Sequence, residues 1–179
     1  MDNRINKLAA LAREGDASAF GELYGIFSKE MYAYAFSITR DPHAAEDAVS
    51  EAVLSAFRQI GNLRDVSSFK GWLFRILHAE SCKQYNARMA HMTLDDSVNA
   101  SRTDAGGIED LELSLELSAA LRVLTQEEKE IVLLKTVNEY TSKEISEITG
   151  IPHATVRSKL SRALAKLRKE IEKGGGTDE

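Results

Sequence analysis

The chain has 179 residues, of which 43% are hydrophobic and 28% charged, and a formal net charge of −5. That balance is ordinary for one globular domain or two small ones, and no uninterrupted apolar run approaches the roughly 18–20 residues that span a bilayer. The single Cys82 excludes an internal disulfide and, with only four scattered His, argues against a zinc site. The opening MDNRINKLAALAREGD is interrupted by Arg4, Lys7, Arg13 and Glu14. It therefore lacks a signal-type apolar region, and a cytoplasmic chain without membrane insertion is expected. Two Pro and long 3.6-residue patterns, with no strand-like alternation, predict an all-α protein.

The first helix is expected from a cap at Asp2 to about Glu14, with Ile5, Leu8 and Leu11/Ala12 inward. Gly15 ends it and Asp16 caps the second, whose inner face is Phe20, Leu23, Tyr24 and Phe27, continued by Met31, Ala35 and Ile38 after a possible break near Ser28. Asp41-Pro42 is a start signal for a third helix. Ala45, Val49, Ala52/Val53, Ala56/Phe57 and Ile60 give it an apolar stripe, and Gly61-Asn62 ends it. A loop from Leu63 to Val66 leads to a cap at Ser67 or Ser68. The fourth helix then places Phe69, Trp72/Leu73 and Ile76/Leu77 inward and runs to about Arg88.

From about Met89 the periodicity breaks. Between Asp95 and Glu116 seven acids face one Arg, a net of −6, as expected of a flexible acidic linker. Helicity resumes near Leu111, with Leu113, Leu117, Leu121 and Leu124 inward. Thr125 and Glu128 have capping-box spacing, and Ile131, Val132, Leu134 and Lys135 follow toward Tyr140. Thr141 and Glu144 repeat that spacing, Gly150 supplies a left-handed end, and Pro152 starts another helix, which together read as a helix-turn-helix. In the last helix Val156, Leu160, Ala163 and Leu167 share one side. The opposite side is centred on Ser158, with Ala154, Ser161, Arg162 and Ala165 around it and Arg157, Lys159 and Lys166 flanking. Short side chains allow close approach to a major groove, and long cations reach phosphates on its walls. From His153 to Lys173 the local net charge is +5, against −5 for the whole chain, as in a segment built for a polyanion. The expected organisation is two small helical domains: 1–90, an acidic flexible linker 91–111, a helix-turn-helix domain 112–173, and a disordered tail 174–179.

Taken together, GDASAFGELY, DPHAAEDAVSEA and SSFKGWLFRIL in the first half, and LTQEEKEIVLLKTVNEYTSKEISEITGIPHATVRSKLSRALAKLR in the second, resemble the bacterial RNA polymerase sigma factors of the extracytoplasmic-function type. The resemblance covers nearly the whole chain. It implies a protein that binds core RNA polymerase, recognises two promoter elements, helps melt promoter DNA and is held off by an anti-sigma factor, with no cofactor and no small-molecule substrate. On this resemblance Glu46, Asp47 and Glu51 form a polymerase-docking face. Glu51 lies too far along its helix for the helix dipole to explain it. Asn62, Arg64, Ser67, Lys70, Arg75, Lys83 and Arg88 are the expected contacts to the melted strand, where cations beside aromatics suit single-stranded DNA. His153, Thr155, Arg157, Ser158, Lys159, Ser161, Arg162 and Lys166 are the expected contacts to the upstream element. The family pattern frays after SSFKGWLFRIL, where Ala79, Lys83, Asn86 and Ala87 stand near its usual Asn, Asp and Arg run, which implies divergent recognition of the melted element. In the last helix Ala154 replaces a usual Gly, Lys159 a usual Arg and Leu164 a frequent Arg.

Two other functions compete. A free-standing helix-turn-helix regulator would not need the acidic face in the first half, and it would need to dimerise for half-site binding. An enzyme would need a phosphate-cradling Gly loop, a nucleophile–base arrangement or metal-ligand spacing, none of which the sequence offers.

Overall fold

The computed structural model describes residues 2–94, 123–136 and 140–174. The chain divides into two compact units, Met1–Leu94 and Asp95–Glu179. Among the described residues the regular structure is helical: α1 (Asp2–Arg13), α2 (Ala17–Thr39), α3 (Pro42–Gln59) and α4 (Phe69–Leu94) in the first unit, α5 (Gln126–Thr136), α6 (Ser142–Thr149) and α7 (His153–Gly174) in the second. Short 3-10 segments, Ile60–Asn62 and Val66–Ser68, join α3 to α4. Of the linker expected at 91–111, residues 91–94 belong to α4, and the rest, with the Leu111, Leu113, Leu117 and Leu121 stripe, lies outside the described residues.

Local signals set the ends of the first helices. Gly15, at φ +101°, turns the chain after α1. The Asp16 carboxylate then accepts the backbone N–H groups of Ser18 and Ala19 at 2.9 and 3.0 Å, satisfying donors that α2 leaves orphaned. Helix α2 runs unbroken through Ser28, contrary to the expected break, because its buried face of Phe20, Leu23, Phe27, Met31, Tyr34, Ala35 and Ile38 continues past that point. It ends on Arg40, which is left-handed at φ 51° despite carrying a Cβ. Arg88 holds that turn from α4: its guanidinium donates to the carbonyls of Thr39 and Arg40 at 3.3 and 3.4 Å and lies 3.6 Å from the Asp41 carboxylate. Asp41 in turn caps α3 by accepting the N–H of Ala44 at 2.9 Å.

Helix α3 presents a run of small residues, Ala45, Ala48, Ala52 and Ala56, all fully buried with Val49 close behind. Small side chains let its neighbours approach closely. Contacts between α2 and α4 advance in the same direction along both: Phe27 against Phe69, Tyr34 against Phe74, the Tyr34 hydroxyl 3.0 Å from His78 Nδ1, then Arg88 at the end of α2. The two helices therefore run parallel. Phe74 is fully buried at the centre of this seam although the sequence reading passed over it, while Leu11, Tyr24 and Phe57, expected inward, are exposed. The expected Ser67 or Ser68 cap is replaced by Asp65, whose carboxylate accepts the Ser67 N–H at 2.9 Å and opens a 3-10 turn before α4. Helix α4 extends to Leu94, beyond the expected end near Arg88.

In the second unit both capping boxes form. Thr125 and Glu128 exchange N–H···O bonds of 2.9 and 3.3 Å, and Thr141 and Glu144 exchange bonds of 2.7 and 3.3 Å. Gly150, at φ 73°, ends α6. Pro152 lies just outside α7, where its carbonyl accepts the N–H of Val156, so it caps the helix instead of forming its first residue. Leu124, Val132, Ala163 and Leu167 form a buried cluster with Leu160 packed against it, while Ile131, Leu134, Ile145, Ile148 and Val156 are also buried. Glu128 is buried too, and its two carboxylate oxygens accept from Lys166 Nζ at 2.9 and 2.8 Å.

Two stability predictions follow from this packing. Phe74→Ala should destabilise the first unit by about 3–5 kcal/mol, while Phe57→Ala should cost only about 1 kcal/mol. Trp72 is the chain's one Trp, so urea unfolding followed by its fluorescence reports the first unit, and equal losses for the two variants would refute the burial order. The hydrogen bond from Lys166, reinforced by the Thr125 N–H, lowers the Glu128 pKa below its ordinary value of 4.5. A depressed carboxylate stabilises the fold fully above its unfolded pKa and loses that contribution as pH falls through the folded one. Relative to intrinsic exchange at the same pH, the protection of the Val156 and Ala163 amides should therefore fall below pH 4.5 in the wild-type chain. In Glu128→Gln exchange should be faster at neutral pH, with that part of the acid dependence gone.

Candidate nucleic-acid interface

The cores on either side of Gly150 fix which way α7 faces. Val156, Ala163 and Leu167 are buried against α5 and α6, which leaves Ala154, Arg157, Ser158, Ser161, Arg162 and Ala165 exposed. The helix-turn-helix thus presents a shallow centre with no bulky apolar group. The Ser158 hydroxyl donates to the Thr155 carbonyl at 3.0 Å, and Arg162 Nε donates to the Ser158 carbonyl at 3.2 Å. The second bond lays the guanidinium along the exposed side of its own helix. His153 is exposed at the start of α7, and Thr155 is half-buried.

Two cations of this helix have partners that the sequence reading missed. Lys159 Nζ pairs with Glu127, and Lys166 Nζ with Glu128. Both acids occupy the first turn of α5, where unpaired N–H groups favour carboxylates. The Thr125–Glu128 capping box was visible, but the second use of the same carboxylate depends on a residue 38 positions away.

The residues expected at the melted strand fall into two settings. Asn62, Arg64, Ser67 and Arg75 are exposed, the first three on the connection between α3 and α4. Ser67 donates its hydroxyl to the Asp65 carboxylate at 2.7 and 2.8 Å, and this bond with the Ser67 backbone N–H lowers the Asp65 pKa. Asp65 was missed in the sequence, although an Asp two residues before a Ser is an Asx-turn signal. Lys83 reaches Glu80 at 3.1 Å. Lys70 is half-buried, 3.0 Å from Glu30 and over the rings of Phe27 and Phe74 at 5.7 and 6.0 Å. Arg88 is the clamp on the α2–α3 turn.

Glu46, Asp47 and Glu51 are all exposed on one side of α3, and Leu54, one turn on, is 48% exposed. This acidic side therefore continues into an apolar residue that the core does not use.

A model of sigma-70 region 2 matches residues 23–89, and one of sigma-70 region 4 matches residues 114–167. The extracytoplasmic-function (ECF) RNA polymerase sigma factor SigW of Bacillus subtilis is 28% identical, over 96% of this chain and 98% of the relative. SigM of Mycobacterium tuberculosis, also an ECF sigma factor, is 27% identical over 90% of this chain and 81% of its own length. The fold matches sigma factor RpoE of Bartonella quintana, solved in complex with the anti-sigma factor NepR, with a TM-score of 0.71 and 23% identity, over 86% of this chain and 96% of that one. A region 2 match fills the half that a free-standing regulator would not need, which displaces that alternative. With regions 2 and 4 matched in order over more than half of the chain, and ECF relatives along nearly its whole length, the chain belongs to the sigma-70 family of RNA polymerase sigma factors, in its extracytoplasmic-function branch.

Proposed function

We propose that this sigma factor docks on core RNA polymerase through the acidic side of α3, reads the upstream promoter element with α7, and holds the melted strand with the α3–α4 connection and the start of α4. The observation that carries the reading is the exposed side of α7, where small residues and arginines are turned outward by a core on the opposite side. Base edges would be met by Ser158 and Arg162, with His153, Thr155 and Ser161 beside them and Arg157 at the backbone. On α3, Glu46, Asp47 and Glu51 suit a basic partner, and exposed Leu54 gives that contact an apolar centre.

For the melted strand, Asn62, Arg64 and Arg75 are the residues exposed to meet it. Ser67 helps through the turn it forms with Asp65. Lys70 and Arg88 serve the same surface by fixing the helices beneath it. The chain acts as a transcription initiation factor with no catalysis of its own, and it works in the cytoplasm, where polymerase and promoter DNA are. No described helix is long and apolar enough to cross a membrane. An anti-sigma factor is the expected regulator, as one is bound in the related RpoE structure. The domain division expected for this role is 1–90 for polymerase and melted DNA and 112–173 for the upstream element, joined by the acidic linker.

Run-off transcription with core polymerase is the direct test. The chain should confer promoter-specific transcripts on core enzyme that makes none alone. Glu51→Lys should weaken core binding by about tenfold or more, the scale of placing like charges together at an interface. Specific transcription at wild-type level from Glu51→Lys, with unchanged core affinity, would remove α3 as the docking face.

A further inference from the structure

Four cations flank the exposed side of α7 in two unlike settings, while Arg162 and Lys169 lie near its centre. Stepping about 100° per residue from Ser158, Lys159 and Lys166 lie on one flank and Arg157 and Arg168 on the other. The lysines are tied to Glu127 and Glu128 of α5, with side-chain exposures of 25% and 42%. Arg157 and Arg168 are exposed and make no ion pair among the described residues.

We propose that Glu127 and Glu128 make α7 electrically one-sided toward DNA, masking the lysine flank so that phosphates are neutralised from the arginine flank. The proposal rests on the reading of α7 as the DNA-contacting helix. Its physical basis is charge balance. Salt dependence counts the phosphates neutralised by cations. A Lys–Glu pair has no net charge, and a lysine that leaves its carboxylate for a phosphate leaves that carboxylate facing a polyanion. For Lys166 the exchange is worse, because the Glu128 side chain is only 8% exposed and would be left as a buried charge short of a donor. For Lys159 it is finer, because the Glu127 side chain is 56% exposed and water can replace the lysine. Glu127 is therefore the residue whose removal unmasks a cation without opening the core. The arrangement also orients the helix. The arginine flank faces one wall of the groove, while the lysine flank faces back to its own domain.

The test is promoter binding by the holoenzyme, core polymerase with the full chain, as a function of salt. Glu127→Gln should steepen the salt slope by about 0.9, roughly a further 3.5-fold change in affinity between 50 and 200 mM salt. Adding Lys159→Gln to that variant should return the slope to wild type, and Arg157→Gln alone should flatten it by about the same amount. A gain in slope is not an outcome that misfolding produces. If Glu127→Gln leaves the slope unchanged while Arg157→Gln still flattens it, the masking proposal is overturned and the DNA reading stands. If Arg157→Gln, Arg162→Ala and Glu127→Gln all bind as wild type at every salt concentration, α7 is not at the DNA, and the underlying reading falls with the proposal.

Discussion

The second unit depends on one carboxylate. Glu128 accepts the Thr125 N–H at the start of α5 and, with both oxygens, the Lys166 ammonium from the middle of α7. A buried charge is costly unless its oxygens are satisfied, and here a backbone donor, a cation and the positive end of a helix all meet the same group. The bond adds a polar tie between α5 and α7 to the apolar core that sets the roll of α7. Leu160 packs against that cluster only partly buried, and Ala163 offers no more than a methyl group. Because the roll is fixed, Ser158 and Arg162 remain outward together, and the exposed side of the helix is a defined surface.

The first unit solves a comparable problem with a turn. Arg40 takes a left-handed conformation that a residue with a Cβ adopts reluctantly. The Arg88 guanidinium meets the two carbonyls on either side of it, and Asp41 caps the helix that follows. The parallel seam of α2 and α4 brings Arg88 to that place, and the alanines of α3 let the third helix close on both. A cation expected at the melted strand thus also braces the scaffold. Lys70 is a second case, held between Glu30 and two aromatic rings. Arg64, next to the Asp65–Ser67 turn, and Arg75 on α4 remain exposed.

What was legible in the sequence was local. Both capping boxes, the Asp41-Pro42 start and the left-handed Gly150 are set by residues within a few positions of one another, and they formed as read. The inner face of α7 was legible because a long amphipathic helix repeats its signal several times. Faces read from shorter windows failed at their edges. Tyr24 and Phe57 sit at the margin of an apolar stripe and turn outward, while Phe74, beside the expected Leu73, fills the seam. Long-range partners were not legible at all. Lys159 finds Glu127 across 32 positions, Lys166 finds Glu128 across 38, and Arg88 finds Thr39 across 49. No periodicity encodes such pairs. They follow from how the helices pack, and they pair two cations of a basic helix with acids of its neighbour.

On the proposed reading, the Ser158–Arg162 side of α7 meets base edges. It is tested most directly by promoter binding of the Arg162→Ala holoenzyme over a series of single-base variants of the upstream element, at several salt concentrations. Arg162→Ala should lose about 1–3 kcal/mol on the preferred sequence and relax preference at one position, with other positions still discriminated. An unchanged base-preference profile, with only the salt slope reduced, would make Arg162 a phosphate contact and contradict the assignment of the reading face.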